Sequence, residues 1–279
     1  MKFIDNDRLA WLILRYFLVY DYFKEYDDNI STVTDWLKLS SSIDSITVDT
    51  TKYDGSLAHC GKAWDYEEAK SELMSYLTTE LVRFHFVWGA LESLITEFVP
   101  VEKVERFGKI NALCGFLKKS QLEDFLPNGY VKEYDHLIAL MRKTNQYKND
   151  IKFLESSAAI NNPIKNYIDI SGIAVYSVYR IRNKFAHGLM KFPEPEGYSN
   201  DVELDKDLIV VATRLVLMTI IILLINDIKK NDFALDVNEF DFTIDSYELS
   251  LLNYSRNCLS NAQEITAIRY LRSLCIDWE

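Results

Sequence analysis

The chain has 279 residues, a formal net charge of -11 and 48% hydrophobic residues. That length fits one large domain or one domain with appendages, and the apolar share can fill a sizeable core. The acidic balance argues against a broad, non-specific grip on nucleic-acid phosphates, and 9 glycines with 5 prolines are too few for a turn-rich β architecture.

Asn6 or Asp7 can cap a first helix that runs to about Tyr26, with Leu9, Leu12, Ile13, Tyr16, Tyr20 and Phe23 along one face. Its apolar run follows two acids and is broken by Arg15, which does not suit a signal peptide. Residues 40–63 are rich in Ser, Thr, Asp and Gly and read as a long loop with a short extended piece at Ile46–Val48. A second long helix should start near Trp64 and end near Phe98, before Pro100. Shorter helices are expected near Lys103–Lys118 and Val131–Lys143.

Asn162-Pro163 reads as a helix start, a capping side chain followed by proline at the first helical position. The helix it opens carries Ile170, Ala174, Val178, Ile181 and Phe185 on one stripe, and Gly188 follows its end. After a Pro- and Gly-bearing loop comes a very apolar helix, about Leu204 to Lys229. It reads as buried in the core or in a dimer interface rather than in a membrane. Residues 233–242 are acidic and irregular, and Ser260 with Gln263 forms a capping-box pattern that opens a final helix. Four cysteines lie far apart with no CxxC, which predicts reduced thiols and a cytoplasmic setting. His59-Cys60 has no second pair at ligand spacing, so neither a metal nor another cofactor is expected.

Chemistry concentrates in one stretch. Residues 163–191 hold Lys165, Arg180, Arg182, Lys184 and Lys191 against the single acid Asp169, so charge is locally inverted. Within it, Arg182-Asn183-Lys184-Phe185-Ala186-His187-Gly188 closes the helix. An imidazole suits proton transfer near neutral pH. A guanidinium can hold two phosphate oxygens through its planar fork. Together they could serve attack of an RNA 2′-hydroxyl on the adjacent phosphate, with fixed positive charge facing the developing anion. Arg182 and His187 are five residues apart, roughly 140° around a helix, whereas Asn183 and His187 share a face. One copy is therefore a poor complete site.

This segment resembles the signature of the HEPN superfamily: an arginine followed by a polar residue, with a histidine four to six residues further on. The Trp88-Gly89-Ala90-Leu91-Glu92-Ser93-Leu94-Ile95 helix also looks like an early helix of larger HEPN domains. The resemblance covers residues 65–230 and implies an all-α, multi-helix bundle there; residues 1–64 and 231–279 lie outside it and read as an N-terminal helix-and-loop extension and a helical C-terminal extension. It implies a metal-independent endoribonuclease whose site is shared by two copies in a homodimer. Arg182, His187 and Asn183 would be catalytic, and Arg180 and Lys184 would bind RNA. It further implies a prokaryotic toxin or antiviral-defence effector, controlled by an antitoxin or regulatory protein and independent of membranes. The alternative is a catalytically silent module of the same fold that binds a nucleotide or a protein partner.

Overall fold

A helix with no polar face must be enclosed by protein, and that requirement organises this chain. The computed structural model describes residues 2–23, 28–53, 61–157, 168–195, 207–230 and 271–276. The fold is all-α. In chain order the described helices are α1 (Asn6–Phe23), α2 (Asp28–Ser41), α3 (Gly61–Phe98), α4 (Val101–Phe107), α5 (Lys109–Lys119), α6 (Tyr130–Arg142), α7 (Lys148–Ser157), α8 (Ile170–Ala186) and α9 (Leu208–Lys230). Among the described residues, extended pairing is limited to one bridge between Phe3 and Ile276.

Helix α9 is the axis. Every residue from Leu215 to Ile228 is buried, and α1, α3, α6 and α8 all pack against it. The apolar composition of α9 is thus accounted for by burial inside its own chain. Thr213 and Thr219 lie in this core because each hydroxyl donates to the carbonyl one turn back, on Ile209 and Leu215 (2.7 Å each). Arg214 is the one basic residue in the middle of α9. It extends to α6, where it pairs with Glu133, whose side chain is 2% exposed. The Arg214 guanidinium also lies 5.0 Å from the Phe3 ring centroid. Residues of α1 and of 271–275 join the same core cluster as α9.

The long second helix is present, three residues longer at its start than the sequence suggests. Two helices carry no expectation from the sequence, α2 and α7. Helix α2 buries Ile30, Val33 and Leu37 at helical spacing, but its Ser and Thr content masks the pattern. The helix expected over Lys103–Lys118 is two helices, α4 and α5. The break is Gly108, with φ 78° and ψ 154°, a conformation essentially confined to glycine. The Asn162-Pro163 start, the His59-Cys60 pair, residues 233–242 and the Ser260/Gln263 capping box lie outside the described residues.

The loop after α2 is extended along α3 at the expected place. Ile46, Val48 and Thr50 donate backbone N–H groups to the hydroxyls of Thr79, Ser75 and Ser71 (2.9, 2.8 and 3.1 Å). Alternate residues of an extended segment advance nearly as far as one helical turn, so a hydroxyl every fourth residue meets each inward N–H. Arg83 closes the upper end by donating to the carbonyls of Ile43 and Asp44.

The buried ion pair yields the first prediction. Glu133→Ala leaves Arg214 in the core without its carboxylate and should destabilise the fold by about 3 kcal/mol. A Glu133→Leu/Arg214→Met double variant should recover most of that loss. Urea unfolding of the single and double variants measures both.

Candidate functional site

Helix α8 positions the Arg182–His187 segment. Asp169 caps it, its Oδ1 accepting from the backbone N–H groups of Ser171 (3.0 Å) and Gly172 (3.2 Å). The motif helix therefore begins at Ile170. Ala174, Val175, Val178 and Ile181 are fully buried, and α8 packs on both α5 and α9. The expected stripe is thus present, with Phe185 half-buried at its end.

The end of α8 is a Schellman motif. Leu189 N–H donates to the Lys184 carbonyl (2.9 Å) and Gly188 N–H to the Phe185 carbonyl (3.0 Å). Gly188 takes φ 63°, the left-handed conformation that this cap requires. His187 is the cap residue and is exposed. Its backbone N–H donates to the Asn183 carbonyl (3.0 Å). Among the described residues, no hydrogen bond is made to its imidazole. Two large apolar side chains stand exposed just beyond it, Leu189 (67%) and Phe192 (54%).

Arg182 is half-buried, and its guanidinium carbon lies 5.9 Å from the centroid of the Trp88 ring on α3. Among the described residues it has no carboxylate partner. Its Nη1 donates to Asn183 Oδ1 at 3.5 Å, a long bond. The Asn183 side chain thus faces Arg182. Trp88 is held in turn by Glu92, which accepts from its Nε1 (2.7 Å) and pairs with Lys109 of α5 (3.6 Å). Glu92 acts two steps from Arg182, through the indole.

Arg180 and Lys184 sit one turn apart and share a single acid. Asp150 of α7, itself buried, accepts from Arg180 Nε (2.6 Å) and pairs through its other oxygen with Lys184 Nζ (3.0 Å). Burial opposes the charge on Arg180, but its hydrogen bonds to Asp150 and Tyr176, with the Asp150 charge, outweigh it and raise its pKa. Lys184 also donates to the Gln146 carbonyl. The Gln146 side chain then brackets the backbone of Lys191, accepting from its N–H (3.2 Å) and donating to its carbonyl (3.5 Å). Further along, Glu194 accepts from the Tyr66 hydroxyl and lies 3.6 Å from Lys70 Nζ, both on α3. The segment after His187 is thereby tied down at Lys191 and Glu194, and between them and the cap the buried Met190 sulfur accepts from the Tyr147 hydroxyl (2.8 Å).

The fold thus brings all five residues singled out in the sequence to one end of α8, but not into one cluster. Arg182 and Asn183 lie together, Arg180 and Lys184 lie on Asp150, and His187 stands apart on the cap. Sequence reasoning did not find Asp150. The spacing signals only that two cations four residues apart repel on a helix and gain from a nearby acid; it does not say which acid, or that there is one.

Comparison with family models, with curated proteins and with solved structures returns no match.

The clasp and the cap yield the second prediction. Asp150→Ala releases two partly exposed cations from a buried acceptor and should cost about 2 kcal/mol. Gly188→Ala forces a Cβ into the left-handed region and should cost roughly 1 kcal/mol. Thermal denaturation of each variant against the parent measures both losses.

Proposed function

We propose that the chain is a metal-independent endoribonuclease of the HEPN type, acting as a homodimer with a shared site. The observation that carries the reading is that one helix end bears both an exposed His187 and Arg182, a guanidinium without a carboxylate partner among the described residues. A structural arginine in an acidic chain would be expected to sit on an acid, as Arg180 and Arg214 do.

The chemistry follows from these groups. The RNA 2′-oxygen attacks the adjacent phosphorus and loses its proton to a neutral imidazole. The 5′-oxygen leaves and takes a proton from an imidazolium. Two His187 side chains, one from each copy, divide these tasks. The Arg182 forks hold the non-bridging oxygens as charge builds on them. Asn183 keeps Arg182 oriented. The exposed Leu189 and Phe192, next to His187, supply apolar surface on which two copies can meet. A two-fold contact there brings the two histidines toward the axis. Toxin or antiviral-defence activity, under the control of an inhibitory partner, is the biological role in keeping with this chemistry.

The third prediction tests the reading. Incubated with mixed RNA in EDTA, the protein should leave 2′,3′-cyclic phosphate and 5′-hydroxyl ends. His187→Ala should lower the rate on the order of 10²- to 10⁴-fold while the dimer persists. Arg182→Lys keeps the charge but loses the fork and should also lose most of the rate. Ends bearing 3′-hydroxyl and 5′-phosphate would overturn the mechanism by pointing to an activated water. RNA that is bound but never cut would favour the silent binding module.

A further inference from the structure

The solvent side of α8 carries a pattern that the motif does not include. Tyr176, Arg180, Asn183 and His187 are spaced four, three and four residues apart, so they fall on one helical stripe that ends at the exposed histidine. Tyr179 and Arg182 border the stripe on the side of α3, and Lys184 borders it on the side of α7. Four aromatic rings cross it in an unbroken row. Trp88 stacks on Tyr179 (centroids 6.4 Å, 14°), Tyr179 meets Tyr176 (6.4 Å), and Tyr176 stacks on Phe153 of α7 (6.2 Å, 28°). A guanidinium covers each end of the row: Arg182 lies over Trp88 (5.9 Å) and Arg180 over Phe153 (4.7 Å). Trp88 is buried and supports the row from inside, whereas Tyr176, Tyr179 and Phe153 are half-buried and reach solvent.

A core needs no cations along its aromatic row, and a solvated helix face needs no aromatic floor. Single-stranded nucleic acid requires both, π-faces for its bases and positive charge for its phosphates. Asp150 offsets only one of the two cations it touches, and Arg182 adds another, so the rim of the floor is net positive in an acidic chain. A duplex has its bases stacked inside and offers this floor nothing. We infer that the Tyr176–Tyr179 floor, with Arg180 and Arg182 at its edges, is the binding track for single-stranded RNA beside His187. The inference rests on the RNA reading above, with the single strand that such a nuclease cuts, and adds to it the residues that hold that strand.

Binding can be separated from cutting, so the fourth prediction is tested in a His187→Ala background. Fluorescence anisotropy would follow a labelled oligouridylate and the same strand in duplex with oligoadenylate. The single strand should bind at least about tenfold tighter. Tyr176→Leu and Tyr179→Leu should each weaken it roughly tenfold, while Tyr176→Phe and Tyr179→Phe, which keep the ring, should stay near the parent. Light-induced crosslinking of 4-thiouridine RNA to the unaltered protein should mark the peptide bearing Tyr176 and Tyr179, and it decides the matter even if a leucine variant fails to fold. Equal affinity for duplex, leucine variants that bind like the parent, or crosslinks confined to another segment would overturn the track. Leucine variants that lower the sedimentation coefficient and spare RNA binding would overturn it too, assigning the floor to a second copy of this chain. If the native protein binds strands through these tyrosines but never cuts them, the track stands and the nuclease reading fails. Cutting that is indifferent to both tyrosines fails the track alone.

Discussion

The enclosure of α9 is the constraint from which the rest of the arrangement follows. A helix apolar on every side gains nothing from water on any of them, so neighbours must cover all of it. Helices α1, α3, α6 and α8 do so, and each then has an inner face fixed by α9 and an outer face left for other uses. The one charge at the middle of that axis, Arg214, has to be answered from a neighbour. Glu133 answers it and thereby ties α6 to the axis. Buried pairs of this kind add little net stability over apolar packing, but they penalise any arrangement that separates them.

Helix α8 translates this architecture into chemistry. Its inner stripe is small and apolar and seats it between α5 and α9, which fixes its outer stripe between Trp88 of α3 and Asp150 of α7. The two sides treat their cations differently. On the α7 side a buried carboxylate holds Arg180 and Lys184, and a glutamine passes that order on to the backbone at Lys191. On the α3 side Arg182 meets an indole and an amide, neither of which cancels its charge. A guanidinium resting on a ring is held in place yet still has donors to offer an anion. That asymmetry, rather than the number of positive charges, makes Arg182 the group suited to a phosphate in this reading.

His187 owes its exposure to the Schellman cap. The cap satisfies the last carbonyls of α8 with backbone N–H groups, which frees the imidazole from that task. The chain beyond it alternates exposed and anchored residues: Leu189 and Phe192 face solvent, while Met190 is buried, Gln146 holds Lys191 and the Tyr66–Lys70 pair holds Glu194. A histidine on a pinned but exposed segment has a defined position without being consumed by the fold.

The sequence alone determined what depends on neighbours along the chain. The helical class, the places of α1, α3, α6 and α9, the buried stripe of α8 and the position of His187 beside a terminating glycine all rest on periodicity and capping, whose partners lie within about four residues. The extended piece at Ile46–Val48 was legible from its β-branched residues, although the α3 hydroxyls that hold it lie 27 and 33 residues away. Gly108 broke one expected helix in two because glycine scarcity says little about a single glycine's φ. Helix α2 stayed hidden because its short apolar face is diluted by residues of weak helix preference. Only the tertiary structure decided which charges are spent. Asp150 lies 30 residues from Arg180 in the chain, and Trp88 lies further still from Arg182, so no local spacing predicts that the first pair is clasped and the second is a ring contact. An ion pair or a stacked ring depends on distance in space, and that distance is set by how α3, α7 and α8 pack around a buried axis, not by any pattern within them.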